Sequence, residues 1–235
     1  MKQFITGLKS LSKKEKTLWV LSCLVIVVSW LLANHGSLLV LCASLIGVTS
    51  LIFDAKGDPF GQFLMIVFSL LYGIISWSQN YYGEMITYLG MTLPMAVLAL
   101  IEWQKNPFEE GKSEVRVEKL SSKEWMTMVV LTLLTTGVFY FILKWLHTSS
   151  LPLSTVSIAT SFIAAYLTWK RSEWYAVGYA ANDIVLILLW LMAARQDPGC
   201  LSMVVCFCVF LVNDLYCFFS WKAMGKKQAL AFEER

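Results

Sequence analysis

Two Asn-Asp pairs interrupt long apolar stretches of this sequence. Asn182-Asp183 lies in the apolar run that follows Trp174, and Asn213-Asp214 lies in the last such run. An ionised side chain at the centre of a bilayer costs roughly 3 kcal/mol on insertion scales, so it normally faces protein or a water-filled cavity. The two pairs therefore predict a polar pathway inside a membrane protein.

The first pair has neighbours that could form a binding site with it. From Trp174, positions Gly178 and Asn182 fall within about 40° of one helix face. An indole can stack on a flat ring, the glycine leaves room for that ring, and the amide can hydrogen-bond a carboxamide or a hydroxyl. An ionised Asp183 on the flank would favour a cationic ligand. The alternative is that Asn182 and Asp183 hold helices together through hydrogen bonds.

Three further residues are candidates for the pathway. Of the second pair, Asn213 is favoured as pathway-lining. Gln79 is a candidate because an amide gains nothing from lipid. Tyr72 lies in the middle of an apolar run, where a phenol needs a hydrogen-bond partner, so binding and structural roles are both open. Glu84 is expected to be solvated or to act as a charge at a helix N-terminus.

The composition is that of an integral membrane protein. The chain is 57% hydrophobic and 15% charged, whereas soluble domains have about 45–50% apolar and about 25% charged residues. Runs of about 17–25 apolar residues can span a bilayer as helices. The sequence contains eight: 18–34, 37–53, 60–78, 84–103, 125–146, 152–169, 174–194 and 200–221.

Charge between these spans predicts the orientation. Of the 19 lysines and arginines, all but Lys144 and Arg195 lie at one set of span ends. Basic residues accumulate on the cytoplasmic side, so both termini are expected there, in a multi-pass protein of the cell membrane. The net charge of +3 is small and the basic residues lie between helices, which argues against nucleic-acid binding.

Local similarity between the two halves predicts an internal repeat. Residues 56–60 lead into the third span as residues 170–174 lead into the seventh, and Trp103 ends the fourth span as Trp221 ends the eighth. The offsets of 114 and 118 residues nearly agree. Spans two to four and six to eight thus form two parallel three-helix units joined by the fifth span, with the first span outside them. The predicted divisions are 1–36, 37–103, 104–151, 152–222 and 223–235.

Other features are expected to be structural. Trp103, Trp169 and Trp221 are expected in the aromatic belt at the membrane interface. Pro94 can kink the fourth span. His35 and His147 have no carboxylate beside them at metal spacing, so neither a metal site nor a cofactor is expected. The sequence contains no nucleotide-binding loop and no catalytic set, so we do not expect an enzyme.

With these residues assembled, the chain resembles the PnuC-type vitamin transporters, which are best known for nicotinamide riboside uptake. The resemblance runs from about residue 40 to 222. It is carried by residues 53–57, 71–73, 82–85 and 94–103 in the first half, and by residues 173–183 and 220–221 in the second. The family has a Trp, a second Trp and then an Asn or Asp on the seventh span. Trp174 matches the first and Asn182 or Asp183 the last, but Val177 or Gly178 replaces the second Trp.

The resemblance implies a SWEET-like fold, two three-helix bundles joined by one helix, to which this chain adds an N-terminal helix. It also implies a homotrimer and facilitated diffusion of an unphosphorylated vitamin that a cytoplasmic kinase then traps. Nicotinamide riboside is the first candidate substrate, and thiamine or riboflavin the alternative. A non-transporting scaffold or receptor subunit is the alternative from another class, although such a protein would keep its polar residues in loops.

Overall fold

The computed structural model describes residues 11–32, 37–148 and 150–233, and these form a helical membrane protein. His35 and the loop at 34–36 lie outside the described residues. The helices are α1 (Lys13–Leu32), α2 (Leu38–Asp54), α3 (Pro59–Ser78), α4 (Tyr82–Lys105), α5 (Ser122–Trp145), α6 (Leu151–Trp169), α7 (Tyr175–Ala194) and, after a short 3₁₀ turn, α8 (Leu201–Glu233).

The predicted all-α membrane fold is confirmed. Within the described ranges, seven helices are long and apolar enough to cross a bilayer, and Leu38–Asp54 is a shorter apolar helix of 17 residues. Every predicted span corresponds to one of these helices. The last helix differs from the prediction, because it continues through most of the expected tail to Glu233.

Six of the helices pack side by side in a closed ring. In order around it, α2, α3, α4, α6, α7 and α8 each contact the next, and α8 contacts α2 again. The two remaining helices lie outside the ring, α5 against α6, and α1 against α2 and α8. The ring therefore has an interior that is separated from lipid by helices on all sides.

The fourth span is irregular beside its proline. Residues Tyr88–Thr92 form a π-helical turn directly before Leu93 and Pro94. Proline cannot donate a backbone hydrogen bond, and its ring clashes with the preceding turn of a regular α-helix. A π-turn accommodates both effects locally, so the predicted distortion at Pro94 takes the form of a bulge.

The two similar turns of the sequence have the same backbone structure. Gly57 and Arg171 both adopt positive φ angles, 65° and 56°. After Gly57, the Asp58 amide donates to the carbonyl of Phe53, and after Arg171 the Ser172 amide donates to that of Leu167. Helices commonly end in this way, with one residue at positive φ and the next amide donating to the carbonyl five residues before it. The turns thus end α2 and α6 in the same manner.

Two tryptophans connect these turns across the molecule. The indole of Trp221 on α8 donates to the carbonyl of Asp54 at 2.6 Å, and the indole of Trp103 on α4 donates to the carbonyl of Thr168 at 2.9 Å. Both side chains are buried, with 0% and 1% exposure. This corrects the prediction that Trp103 and Trp221 are interfacial belt residues. Each half of the chain instead supplies an indole to the helix end of the other half.

The basic end of the molecule, where Lys56, Lys105, Lys170 and Lys222 lie, carries an ordered connection. Val115 donates from its backbone to the carbonyl of Gly57, and Glu118 donates to that of Arg171. Gln228, on the extension of α8, accepts from the Val117 amide and donates to the Val115 carbonyl. The segment between α4 and α5 is therefore held against both turns and the end of α8.

We predict that Trp221→Phe lowers the thermal stability of the purified protein. The phenyl ring fills most of the space but leaves the Asp54 carbonyl without its indole donor, at a cost of about 1 kcal/mol. For a chain of this size, that corresponds to an apparent Tm lower by about 2–4 °C. Trp145→Phe is the control, since Trp145 is 76% exposed. Equal melting shifts in the two variants would contradict the structural role of Trp221.

Candidate functional site

Polar side chains lie inside the helix ring in two clusters. The first, the hydroxyl cluster, consists of Glu84, Ser154, Ser157, Thr160, Ser161 and Asn182. The second, the carboxyl cluster, consists of Ser50, Asp54, Gln62, Asp183 and Asp214.

Asn182 is the centre of the hydroxyl cluster. Its side-chain oxygen accepts hydrogen bonds from Thr160 at 2.8 Å, from Ser161 at 3.0 Å and from Ser157 at 3.3 Å. All three hydroxyls come from α6, so Asn182 holds α6 and α7 together. This is the structural role that we considered as the alternative to binding. The polar interior location of Asn182 is as predicted, and its role in binding stays a prediction.

Glu84 completes this cluster from α4. Its carboxylate lies 3.3 Å from the Ser157 hydroxyl, and the side chain is 0% exposed. The other carboxylate oxygen has no hydrogen-bond partner among the described residues, and neither has the nearby hydroxyl of Ser154. The expectation that Glu84 is solvated is therefore wrong. A buried carboxylate oxygen without a partner is costly, so it marks a place where a ligand or water can bind.

The sequence contained one indication of this cluster that we did not use. Ser154, Ser157 and Ser161 recur at intervals of three and four residues, which places them on one face of a helix. The position of Glu84 gave no such indication, because it lies two residues after the start of α4, where a solvated N-terminal charge is the usual role.

An aromatic cluster adjoins Glu84. The ring of Tyr72 lies 4.2 Å from that of Tyr88 and 5.5 Å from that of Phe207. The phenol oxygen of Tyr72 accepts a 2.8 Å hydrogen bond from the Trp190 indole. Both tyrosines lie close enough to Glu84 for its charge to act on their phenol groups. Tyr72 thus has a structural partner and also belongs to an aromatic wall beside a buried acid.

The carboxyl cluster contains the second member of each Asn-Asp pair. Asp183 and Asp214 lie within hydrogen-bonding reach of each other. Two carboxyl groups form such a bond only when one of them carries a proton, because carboxylates are acceptors alone. Asp54 accepts from Gln62 at 2.8 Å and from Ser50 at 3.3 Å. One oxygen of Asp183 and one of Asp214 have no partner among the residues described.

The predicted stripe of Trp174, Gly178 and Asn182 does not form a single surface. Trp174 precedes the first residue of α7 and is 45% exposed, with its ring 5.5 Å from that of Phe218. Each four-residue step advances about 40° beyond a full turn, so two steps turn Asn182 away from Trp174. The structure therefore separates this tryptophan from the buried clusters.

Gly178 serves close helix packing. A Cβ atom placed on it would lie 2.9 Å from the Cα and 3.0 Å from the Cβ of Ala164 on α6. The space that we expected a ligand ring to use is occupied by that neighbour. This corrects the prediction that Gly178 makes room for a ligand ring. Its lack of a side chain instead lets α6 and α7 pack closely.

Asn213 faces a different helix from Asp214. Its amide donates to the Ser22 hydroxyl of α1 at 3.0 Å and to the Val209 carbonyl at 2.8 Å. Adjacent residues point about 100° apart on a helix, and here Asn213 is directed toward α1 whereas Asp214 lies beside Asp183 of α7. The prediction that Asn213 lines the pathway is corrected, because it holds α1 against α8.

Gln79 lies at the end of the molecule opposite the basic end. It caps α3 and lines a cavity of about 260 Å³ together with Trp190 and Asp197. Trp190 is also the indole that donates to Tyr72. Gln79 therefore lines the same cavity as Trp190, which is the hydrogen-bond partner of Tyr72 in the aromatic cluster.

The described residues contain no group of three or more His, Cys, Asp and Glu side chains arranged to hold a metal ion. The hydroxyl cluster and the aromatic cluster together offer one amide, hydroxyls, a buried carboxylate and aromatic rings. Groups of these types can bind a polar ring compound with hydroxyls, and a carboxylate beside aromatic faces attracts positive charge.

We predict that Gly178→Ala destabilises the protein by about 1–3 kcal/mol, because the added methyl group must displace the Ala164 backbone. Gly137→Ala is the matched control, since a Cβ atom there meets nothing within 4 Å, and it should be neutral or stabilise α5 by up to about 1 kcal/mol. Apparent Tm in detergent measures both. A Gly178→Ala variant as stable as Gly137→Ala would contradict the close packing.

Comparisons with known proteins identify the family of this chain. The sequence profile of the family described as nicotinamide mononucleotide transporter matches residues 37–223. The chain is 24% identical over 226 residues to the nicotinamide riboside transporter PnuC of Haemophilus influenzae, covering 96% of this chain and 95% of that protein. It is 26% identical over 222 residues to the protein of the same name from Neisseria mucosa, covering 91% and 83%.

A solved structure has the same fold. The crystal structure of the vitamin B3 transporter PnuC superposes with a TM-score of 0.80 at 22% identity, over 93% of this chain and 94% of that one. The family consists of transporters, so the prediction that the chain is not an enzyme is confirmed. Because the profile spans most of the chain, this protein belongs to the nicotinamide mononucleotide transporter family, whose relatives here are the PnuC proteins.

Proposed function

We propose that this protein transports nicotinamide riboside across the cell membrane. The observation that carries the proposal is Glu84, a fully buried member of the hydroxyl cluster that lies near Tyr72 and Tyr88 and has one oxygen without a partner among the described residues. Nicotinamide riboside combines a pyridinium cation, a carboxamide and ribose hydroxyls. A carboxylate and aromatic faces attract the cation, while the hydroxyls and Asn182 suit the remaining polar groups. The names of the relatives support the same substrate.

We further propose that the six-helix ring is a SWEET-like pair of three-helix bundles. α2–α4 form one bundle, α6–α8 the other, α5 connects them, and α1 is an addition. The matching turns at Gly57 and Arg171 and the exchanged indoles of Trp103 and Trp221 support this division. A twofold axis along the membrane normal would then pass between the bundles, where the polar clusters lie.

The remaining parts of the proposal concern direction and assembly. We propose that the basic end faces the cytoplasm, on the grounds of the lysine and arginine distribution. We also propose uniport by facilitated diffusion, with intracellular phosphorylation maintaining the gradient, and assembly as a homotrimer, as the family resemblance implies.

Thiamine or riboflavin is the alternative substrate. Thiamine also carries a cationic ring and would satisfy Glu84, whereas riboflavin is neutral and would not. Membership in a transporter family favours transport over the scaffold alternative.

We predict that the purified protein in liposomes admits labelled nicotinamide riboside without any ion gradient. Asn182→Ala should abolish uptake, and Glu84→Gln should lower it by about tenfold or more, because a hydrogen bond or contact to a charged group is worth about 1.5–3 kcal/mol. Glu110→Gln, a change of the same kind on the exposed connection, should have no effect.

Three outcomes would contradict parts of this account. Strict dependence on a proton or sodium gradient would exclude uniport. Unchanged uptake by Asn182→Ala and Glu84→Gln would exclude the interior site. Transport of thiamine or riboflavin in place of the riboside would reassign the substrate while leaving the pathway in place.

A further inference from the structure

A second cavity lies at the basic end, separate from the two interior clusters. It has a volume of about 670 Å³, within the range of about 300–1,000 Å³ that is usual for small-molecule sites. One wall is the connection at 116–120 and the other is the extension of α8. Trp125, Ser172, Glu173 and Trp174 complete it.

The walls of this basic cavity are held in place by specific contacts. Gln228 bonds the backbone of Val115 and Val117, as described above, and also donates to Glu114 at 2.9 Å. Phe232 packs edge-on against Phe108, with ring centres 5.7 Å apart. The cavity therefore exists before any ligand arrives, which lowers the entropic cost of binding.

Positive charge predominates in the lining. Four cations face two carboxylates, and one of the carboxylates is already neutralised, because Glu118 lies 3.3 Å from Arg116 and 3.5 Å from Arg171. Glu173 is the remaining acid. The cations that line the cavity are Arg116, Lys119, Lys222 and Lys226.

Three of the lysines are not engaged by carboxylates. Across residues 11–32, 37–148 and 150–233, no carboxylate oxygen lies within 4.0 Å of the ammonium groups of Lys119, Lys222 or Lys226. Lys222 instead lies 5.6 Å from the ring centre of Phe218. Like charges gathered at one cavity repel each other, so an anion that binds there is favoured.

The cavity also contains flat apolar surfaces. Trp125 is 37% and Trp174 is 45% exposed, and both line it. An indole face exposed beside lysines can stack on a heteroaromatic ring while the ammonium groups bind a phosphate. This combination accounts for Trp174, which the interior site does not use.

We propose that the basic cavity is a binding site for an organic phosphate, held by Lys119, Lys222 and Lys226. Two sources share this chemistry, a soluble mononucleotide and the phosphate headgroup of an anionic lipid. The two exposed indoles favour the mononucleotide, because a lipid headgroup has no ring to stack on them. The inference rests on the cavity alone and does not depend on which vitamin the interior transports.

Calorimetric titration of nicotinamide mononucleotide into the purified protein tests the proposal. Excess nicotinamide riboside is present throughout, so that any transport site is occupied and the heat reports a second site. We expect binding, weakened about tenfold or more in the double variant Lys222→Ala/Lys226→Ala, since charge-assisted contacts are lost. Glu173→Gln should tighten binding about fivefold by removing a like charge.

Lys227→Ala is the matched control, because Lys227 is adjacent on α8 and carries the same charge but does not line the cavity. It should bind as the parent protein does. A second arm compares Tm in nanodiscs of phosphatidylglycerol and of phosphatidylcholine.

If the mononucleotide does not bind but phosphatidylglycerol raises the Tm, and the double variant removes that rise, the phosphate belongs to a lipid headgroup. If neither ligand has an effect, or if Lys227→Ala weakens binding as much as the double variant Lys222→Ala/Lys226→Ala does, the proposal is overturned. A failure of riboside transport would leave this result unaffected, so the two accounts can fail separately.

Discussion

The structure depends on the cost of placing polar groups at the depth of a bilayer. Carboxylates, an amide and hydroxyls cannot face lipid without losing hydrogen bonds worth several kcal/mol in total. The ring of α2, α3, α4, α6, α7 and α8 removes them from lipid, and most of them then find partners on neighbouring helices. The exceptions are informative. Among the residues that the structure describes, the buried oxygens without a hydrogen-bond partner include one each of Glu84, Asp183 and Asp214, and such an oxygen marks a place where a ligand, an ion or water can bind.

Hydrogen bonds between the two halves of the chain help to close the ring. Each half ends a helix in a positive-φ turn, and each turn receives an indole from the opposite half. The connection between α4 and α5 then hydrogen-bonds to both turns at Gly57 and Arg171. The basic end is thereby fixed, whereas the fourth helix contains a π-turn beside Pro94 in its membrane-spanning part. The structure thus combines hydrogen-bonded helix ends at the basic end with one irregular helix inside the ring.

The amino-acid sequence predicted the helices well, because length and apolar composition determine them directly. It also predicted the interior position of Asn182 and Asp183, since an amide and an acid in an apolar run have few other places to go. Which neighbour each would meet was not predictable. Asn213 and Asp214 differ by one residue and face different helices, and sequence alone does not give the rotation of a helix that is apolar on all sides.

The same limit explains the tryptophans and Glu84. A tryptophan at the end of a span has the same sequence context whether it lies in the interface, as we predicted for Trp221, or donates to a buried carbonyl, as it does. The sequence position of Glu84 is that of an ordinary charge at a helix N-terminus, and only the packing of α4 against α6 shows that it is buried. The spacing of the α6 serines indicated a polar helix face. The structure shows that Asn182 of α7 lies opposite that face.

The central claim is that the polar interior of the helix ring is where the transported molecule binds. A structure of the protein with nicotinamide riboside bound, determined in nanodiscs by electron cryomicroscopy, tests it most directly. The account predicts density for the pyridinium ring between Glu84 and the rings of Tyr72 and Tyr88, with the ribose or carboxamide in contact with the α6 hydroxyls and Asn182. Density for the riboside outside the ring, with Glu84 and Asp183 still enclosed by protein alone, would contradict it.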